Sequence, residues 1–357
     1  MVKQLYMLVD PIENLYGSVR PVILLAEEFA KFFDITIVAP KISSKARKYL
    51  ESAGYKLIAT KKKLITTKSL ATLEAWLRRE KFTVDGAAVI NFSQCYYGSC
   101  LIYYAQGPMH AALRDIALEG SWTYRLGYFA GSWLFRVLDK QFISKVRAGA
   151  QYFLANSEFC KQMYEKLGIK VDGIIYPPVD LETFRPTTTA PSQDYVLTYF
   201  GKETKYTIIK QLLDSGLKIK AFGSRAPYIP KSLLVHPNLE YVGQVTDSEL
   251  AELYSNALFT VFIFTHEPFG YIPVESMACG TPVLTYAAQG PQESVQHGKT
   301  GWLARTDEEL VKLALQIWKE GVPEPMRKLC RESVQKFAKQ VIAKQWLKFL
   351  TPIIESC

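Results

Sequence analysis

Long apolar runs are missing from this chain. No stretch of about 18 consecutive apolar residues occurs, so no membrane-spanning helix is expected. The opening residues, MVKQLYMLVD, enter a strand-like run at once and lack the layout of a signal peptide. The protein is therefore expected to be made and kept inside the cell. Cysteine is sparse, six residues without a C-x-x-C pair, which excludes the usual zinc frameworks and points to reduced, mostly buried thiols. The Asn91-Phe92-Ser93 sequon then has no role, since it needs a secretory route. No G-x-G-x-x-G opens the first βα turn, which argues against a dinucleotide cofactor. Gly298-Lys299-Thr300 imitates the tail of a P-loop, but Glu293 stands where that loop needs glycine, so an ATPase is excluded. RNP aromatics, zinc-finger spacing and a recognition-helix signature are all absent, and no nucleic acid is expected as partner.

What is present is an ordinary globular composition: 357 residues, 48% hydrophobic and 22% charged, long enough for two domains. The net charge of +9 is localised. Residues 41–82 hold twelve Lys and Arg against three acids, an excess equal to that of the whole chain. Such a window is either a solvated surface or a patch facing anionic lipid. Residues 119–148 are dense in Trp, Tyr and Phe interleaved with Arg and Lys. They read either as a helix lying in a membrane interface or as a core helix packing its aromatics on a sheet.

The most informative stretch is 266–282, HEPFGYIPVESMACGTP. A short apolar strand, Leu258 to Phe264, precedes it, and a helix-compatible run, Ile272 to Cys279, ends at Gly280. In an open α/β sheet this order puts the loop at the carboxyl end of a strand, where ligands bind. The first turn of the helix faces the same crevice and favours an anion such as a phosphate. Gly270 permits close backbone approach, and Pro273 fits the first helical turn. Glu267 and Glu275 mark an E-x7-E spacing.

Glu267, Phe269, Gly270, Glu275, Met277, Ala278, Gly280, Pro282 and Val283 stand in register with the pattern E-x-F-G, apolar run, E-x-M-A-x-G-x-P-V. The stretch resembles the donor site of retaining GT-B glycosyltransferases, glycosyltransferase family four (glycosyl transferases group 1). The resemblance implies an α/β fold with two Rossmann-like domains facing across a cleft. It also implies a nucleotide-sugar donor, retention of anomeric configuration and no metal or other cofactor; the metal-binding D-x-D of GT-A enzymes is absent. Glu275 would take ribose hydroxyls and Glu267 would face the donor sugar, with Phe269, Gly270, Tyr271 and Ile272 lining the site. Lys202, in place of the family's Arg, and Lys205 would meet the diphosphate; Val245 would contact the base; Gly17 would face the cleft from the first loop. Where the family often carries an acceptor-side histidine, the strand ends in Gln106 and the nearest histidine is His110. Either residue fills that role.

The resemblance is close for 237–303, moderate for 151–186 and 195–205, and weak for 1–150. The expected division is an acceptor-side domain over 1–182, a Pro/Thr-rich linker over 183–193, a donor domain over 194–330, and a terminal helix over 331–357 that packs back on the first domain. The expected activity is transfer of a sugar, UDP-, GDP- or ADP-linked, to a hydroxyl acceptor, with a lipid-linked or membrane-proximal glycan fitting the basic and aromatic segments. Catalysis is assigned to Glu267, Lys202 and His110. Localisation is expected to be cytoplasmic, with peripheral contact to the inner face of a membrane through 41–82 and 119–148 as one reading. A sugar-nucleotide epimerase on the same fold and a non-catalytic sugar-nucleotide or glycan-binding protein are the alternatives.

Overall fold

The computed structural model describes residues 3–355 apart from 16, 61–63, 65–68, 120–121 and 224–228. Tyr16, Lys61 to Lys63 and Lys68, and the Ser224-Arg225 turn lie outside the described residues. The chain forms two compact units. The first comprises 1–111, 129–178 and 339–357; the second comprises 112–128 and 179–338.

In chain order the first stretch gives β1 (Lys3–Leu8), α1 (Arg20–Phe29), β2 (Phe33–Ala39), α2 (Ser44–Ser52), β3 (Lys56–Ala59) and α3 (Ser69–Arg78). It continues with β4 (Glu80–Lys81), β5 (Ala88–Asn91), β6 (Tyr96–Tyr97), β7 (Cys100–Ala105), α4 (Met109–Glu119), α5 (Trp122–Gly149), β8 (Ala150–Ala155), α6 (Glu158–Glu165) and β9 (Gly173–Ile174). The second stretch gives β10 (Val196–Phe200), α7 (Tyr206–Asp214), β11 (Ile219–Gly223), α8 (Lys231–Leu234), β12 (Leu239–Gly243), α9 (Asp247–Asn256) and β13 (Phe259–Phe262). Then come α10 (Tyr271–Ala278), β14 (Val283–Tyr286), α11 (Pro291–Ser294), β15 (Gly301–Ala304), α12 (Asp307–Glu320), α13 (Glu324–Ser333) and α14 (Lys339–Glu355).

The first unit is built on a parallel sheet of order β3-β2-β1-β5-β7-β8-β9. Both faces are covered, as crossover helices require. Alternation along β1 divides the core: Leu5 and Met7 join the layer under α1 and α14, whereas Tyr6 and Leu8 face the layer containing Phe142, Ile143 and Val146 of α5. The second unit repeats the plan with order β12-β11-β10-β13-β14-β15, again parallel. Strand order reverses between β1 and β5 in one sheet and between β10 and β13 in the other. Such reversals leave a crevice beyond the strands' carboxyl ends.

Two sequence expectations are corrected. The apolar periodicity of residues 19–33 reads as one helix, but α1 stops at Phe29, because Phe33 already pairs with Lys3 in the sheet. The terminal helix expected over 331–357 is broken. After α13 a 3₁₀ turn, Gln335–Phe337, buries Phe337, and Ala338 is extended. The Phe337 carbonyl accepts the Val179 amide at 2.8 Å, a bond that withdraws it from any continuous helix. Residues 183–193 lie within the second unit, whose boundaries fall at 111/112, 128/129, 178/179 and 338/339.

Helix α14 belongs to the first unit. Trp346 is wholly buried there, with ring centroids 5.0 Å from Tyr104, 5.5 Å from Phe92 and 6.3 Å from Phe29. Its Nε1 has no hydrogen-bond acceptor among the described residues. Trp346→Ala is expected to cost about 3–5 kcal/mol through the cavity it leaves, and Trp346→Phe clearly less, because the indole N–H contributes no bond. Urea unfolding of the two variants checks the order.

Candidate functional site

The second unit places the E-x7-E stretch at the reversal between β10 and β13. Strand β13 ends at Phe262, and the following loop carries Glu267 to the N-terminus of α10. Gly270 caps that helix with φ +96°, a left-handed conformation that favours glycine. The Glu267 carboxylate turns toward this end, and its Oε1 accepts the Gly270 amide at 3.1 Å. Burial raises the Glu267 pKa to about 7, helped by the nearby Glu203 and opposed by the amides of Phe269 and Gly270. Glu275 lies one turn into α10 and is buried. Along the chain the helix N-terminus thus lies between a half-buried carboxyl group, Glu267, and a buried one, Glu275.

The loop is held on several sides. Gln289, just past β14, has φ 56°, rare for a residue other than glycine. Its amide bridges the loop: Oε1 accepts the Glu267 amide at 2.6 Å and Nε2 donates to the Thr265 carbonyl at 3.0 Å. The Gly290 amide donates to the Glu267 carbonyl at 3.0 Å, and the Thr265 amide donates to the Glu203 carbonyl at 2.9 Å. A Cβ on Gly290 would lie 2.2 Å from the Pro268 carbonyl oxygen, so only glycine fits. Between these ties, buried His266 meets buried Asp115 of α4, Nδ1 to Oδ2, at 2.8 Å. Burial alone would raise the Asp115 carboxyl; bonds from His266 and Arg114 outweigh it and hold it below the usual carboxylate range.

The cations differ in their engagement. Lys202, in the loop after β10, is 51% exposed, with Nζ 3.4 Å from Glu203. Lys205 caps α7 and already has protein partners: Asp307 at 3.1 Å and the Tyr286 ring, 4.9 Å from Nζ to centroid. Among the described contacts, Lys202 is the more open toward an incoming anion. Phe269 is buried against Tyr271 and Phe337, centroids 5.4 and 5.6 Å apart, so it supports the loop from within. Tyr271 and Ile272 are half-buried at the start of α10. Val245 directly precedes Thr246, which forms a capping box with Glu249 at the start of α9.

Gly17 and His110 belong to the first unit. Gly17 has φ +63° and opens a 3₁₀ turn ahead of α1. His110 is tied to buried Asp139, whose Oδ2 lies 2.8 Å from Nδ1 and 2.9 Å from the His110 amide. Gln106 donates to the Phe92 carbonyl at 3.1 Å and so joins the ends of β7 and β5. Sequence reading missed Gln289, His266, Asp115 and Glu203. The Gly290-Pro291 pair signalled a turn, but nothing marked the residue before it. Asp115 is 151 positions from its partner, beyond any motif window.

Structural likeness decides the architecture. The chain superposes on the Anabaena protein HepE in complex with UDP with a TM-score of 0.68 at 15% identity, covering 98% of this chain and 100% of that one. The fold is GT-B. Within this GT-B chain, residues 224–337 match the family model for glycosyl transferases group 1. A GDP-Man:Man(3)GlcNAc(2)-PP-Dol alpha-1,2-mannosyltransferase of Dictyostelium discoideum is 29% identical over 151 residues, 41% of this chain and 30% of that protein. A probable sucrose-phosphate synthase of Thermosipho melanesiensis is 33% identical over 109 residues, 29% of this chain and 26% of that protein. The aligned stretches thus span less than a third of either relative.

The Glu267 carboxyl binds its proton more tightly folded than unfolded. Its contribution to stability is complete below about pH 4.5 and is lost as pH rises through about 7. Glu267→Gln is therefore expected to melt above the parent on the alkaline side of that window, the gap narrowing toward its acid end; calorimetry across the range reads it. Gln289→Gly keeps the backbone conformation and removes the bridge. Amide exchange at Glu267 is expected to rise about five- to hundredfold, read by hydrogen–deuterium exchange.

Proposed function

We propose that this chain is a retaining, metal-independent glycosyltransferase acting inside the cell. It moves a sugar from a UDP-, GDP- or ADP-sugar to a hydroxyl group of a glycan acceptor, lipid-linked or close to a membrane. The observation that carries the reading is the loop–helix junction after β13, at a sheet reversal, where Glu267 accepts the Gly270 amide at the N-terminus of α10 and Glu275 follows one turn into that helix. The family match over 224–337 spans this junction. HepE in its complex holds UDP, and the Dictyostelium relative is a GDP-mannose enzyme whose acceptor is dolichol-linked. The first supports a nucleoside diphosphate in the site, the second a hexose donor carried on one.

Each component has a physical task. The α10 N-terminus and Lys202 stabilise negative charge growing on the departing diphosphate, with Lys205 contributing from its pairing with Asp307. Glu275 accepts hydrogen bonds from the ribose hydroxyls, and Val245 meets the base. Glu267, with a pKa raised to about 7 by burial, either accepts or donates a bond to a donor-sugar hydroxyl near neutral pH. In a front-face transfer the bond from the anomeric carbon to the diphosphate breaks while the bond to the acceptor oxygen forms on the same side. The acceptor's proton passes to the leaving phosphate oxygen, so no protein nucleophile and no metal enter the scheme. In the first unit, Gly17 serves the donor side, and His110, oriented by Asp139, is the acceptor-side candidate.

A thermal-shift panel of the three donor classes without metal tests the donor site. One class is expected to stabilise the protein, by about 2.7 kcal/mol at a hundredfold excess over Kd, and Glu275→Ala is expected to abolish the effect. In a transfer assay Lys202→Ala is expected to lower kcat at least about tenfold. Donor consumption without an acceptor would favour an epimerase, and binding without turnover a non-catalytic protein; either result overturns the proposal.

A further inference from the structure

Helix α5 has two sets of apolar residues, the buried one mostly in its second half. One is buried: Tyr128, Phe142, Ile143 and Val146 are covered, as is Asp139, which pairs with His110. The other carries Trp122 (75% exposed), Leu126 (64%), Phe129 (51%) and Trp133 (74%). At about 100° per residue these four fall within about 60° of one another, while Leu134, also exposed, lies about 110° off their centre. Single exposed apolar residues need no explanation, but a stripe of four large ones does. Core packing does not account for it, because each of the four is more than half exposed.

The charges around the stripe choose its occupant. Arg125 and Arg136 are exposed and lie within about 70° of its centre, and exposed Lys140 continues its line beyond Trp133. Asp139 is the sole acid in residues 122–149, and it is buried. A seam for a second copy of this helix would bring these cations together, which costs energy. An anionic surface meets them favourably. Trp at both ends of the stripe suits the boundary between headgroups and acyl chains, and Arg and Lys beside it can extend their stems over apolar surface while their charges stay among phosphates. The stripe is about 17 Å long, too short to cross a bilayer and sufficient to lie on one. No helix among the described residues is long and apolar enough to cross a membrane.

The basic window is a weaker candidate for the same task. Lys41, Arg47, Lys56 and Arg78 each pair with an acid, and Arg79 is stacked on Trp76 and Phe142. Four of its twelve cations are thus paired with acids among the described residues.

We infer that the outer face of α5 docks in the plane of an anionic lipid bilayer, through Trp122, Leu126, Phe129 and Trp133 with Arg125 and Arg136 at its edge. The inference is independent of the transferase reading, because docking is measured without donor or acceptor. The full chain is sedimented with vesicles of phosphatidylcholine alone and of equal parts phosphatidylcholine and phosphatidylglycerol, while tryptophan emission is followed. The parent is expected to bind the anionic vesicles with a blue shift, to ignore the neutral ones and to detach as salt rises. Trp122→Gln/Trp133→Gln and, separately, Arg125→Glu/Arg136→Glu are expected to reduce binding at least about tenfold with melting temperatures unchanged. These side chains are exposed, so neither pair removes core packing. No binding to anionic vesicles, binding that survives both double substitutions, or a dimer that dissociates in the Trp variant would each overturn the inference.

Discussion

Glu267 can be presented at the carboxyl end of β13 only because the chain leaving β14 passes against it without a side chain. At Gly290 the approach is so close that a Cβ would overlap the Pro268 carbonyl. That contact brings the Gly290 amide to the Glu267 carbonyl and places the Gln289 side chain across the loop. Two parallel strands, each contributing its outgoing loop, therefore act as one support. The cost is a left-handed backbone at Gln289, retained because its side chain makes two bonds that a glycine could not.

Burial sets the acids of this unit apart. Glu267 is desolvated with another carboxylate close by and only backbone amides to answer it, so its proton is held up to about pH 7. Asp115 is desolvated too, but a histidine and an arginine bond to it directly and keep it ionised. The same physical penalty yields a carboxyl group near neutrality at the loop and a fixed anion behind it. A fixed anion on His266 Nδ1 orients the imidazole next to the functional loop and steadies the backbone from which Glu267 projects.

The aromatic segment in the middle of the chain shows how one helix can satisfy both readings of its sequence. A core helix and an interfacial helix were alternatives for residues 119–148. Phe142, Ile143 and Val146 do pack on the first sheet, while Trp122, Leu126, Phe129 and Trp133 point away from it. Composition could not separate these, because Trp and Phe are equally at home in a core and at a headgroup boundary. Placement along the helix separates them, and that requires knowing which part of it meets the sheet.

Much of this protein was legible in its sequence wherever the determinants are local. Alternating β and α patterns gave two parallel-sheet units, since a parallel crossover demands a helix between strands. The order strand, Glu267, Gly270, helix, Glu275 is written within a few turns of chain, and the structure holds it in that arrangement. The Thr246 and Ser157 caps were equally local. Tertiary structure decided what depends on residues distant in sequence. It paired Lys205 with Asp307, joined His266 to Asp115, bent the chain at Phe337 to meet Val179, and laid Gln289 across the loop. Hydrogen-bonding capacity is encoded in each residue; which two groups spend it on each other is fixed only when strands far apart in sequence become neighbours in a sheet.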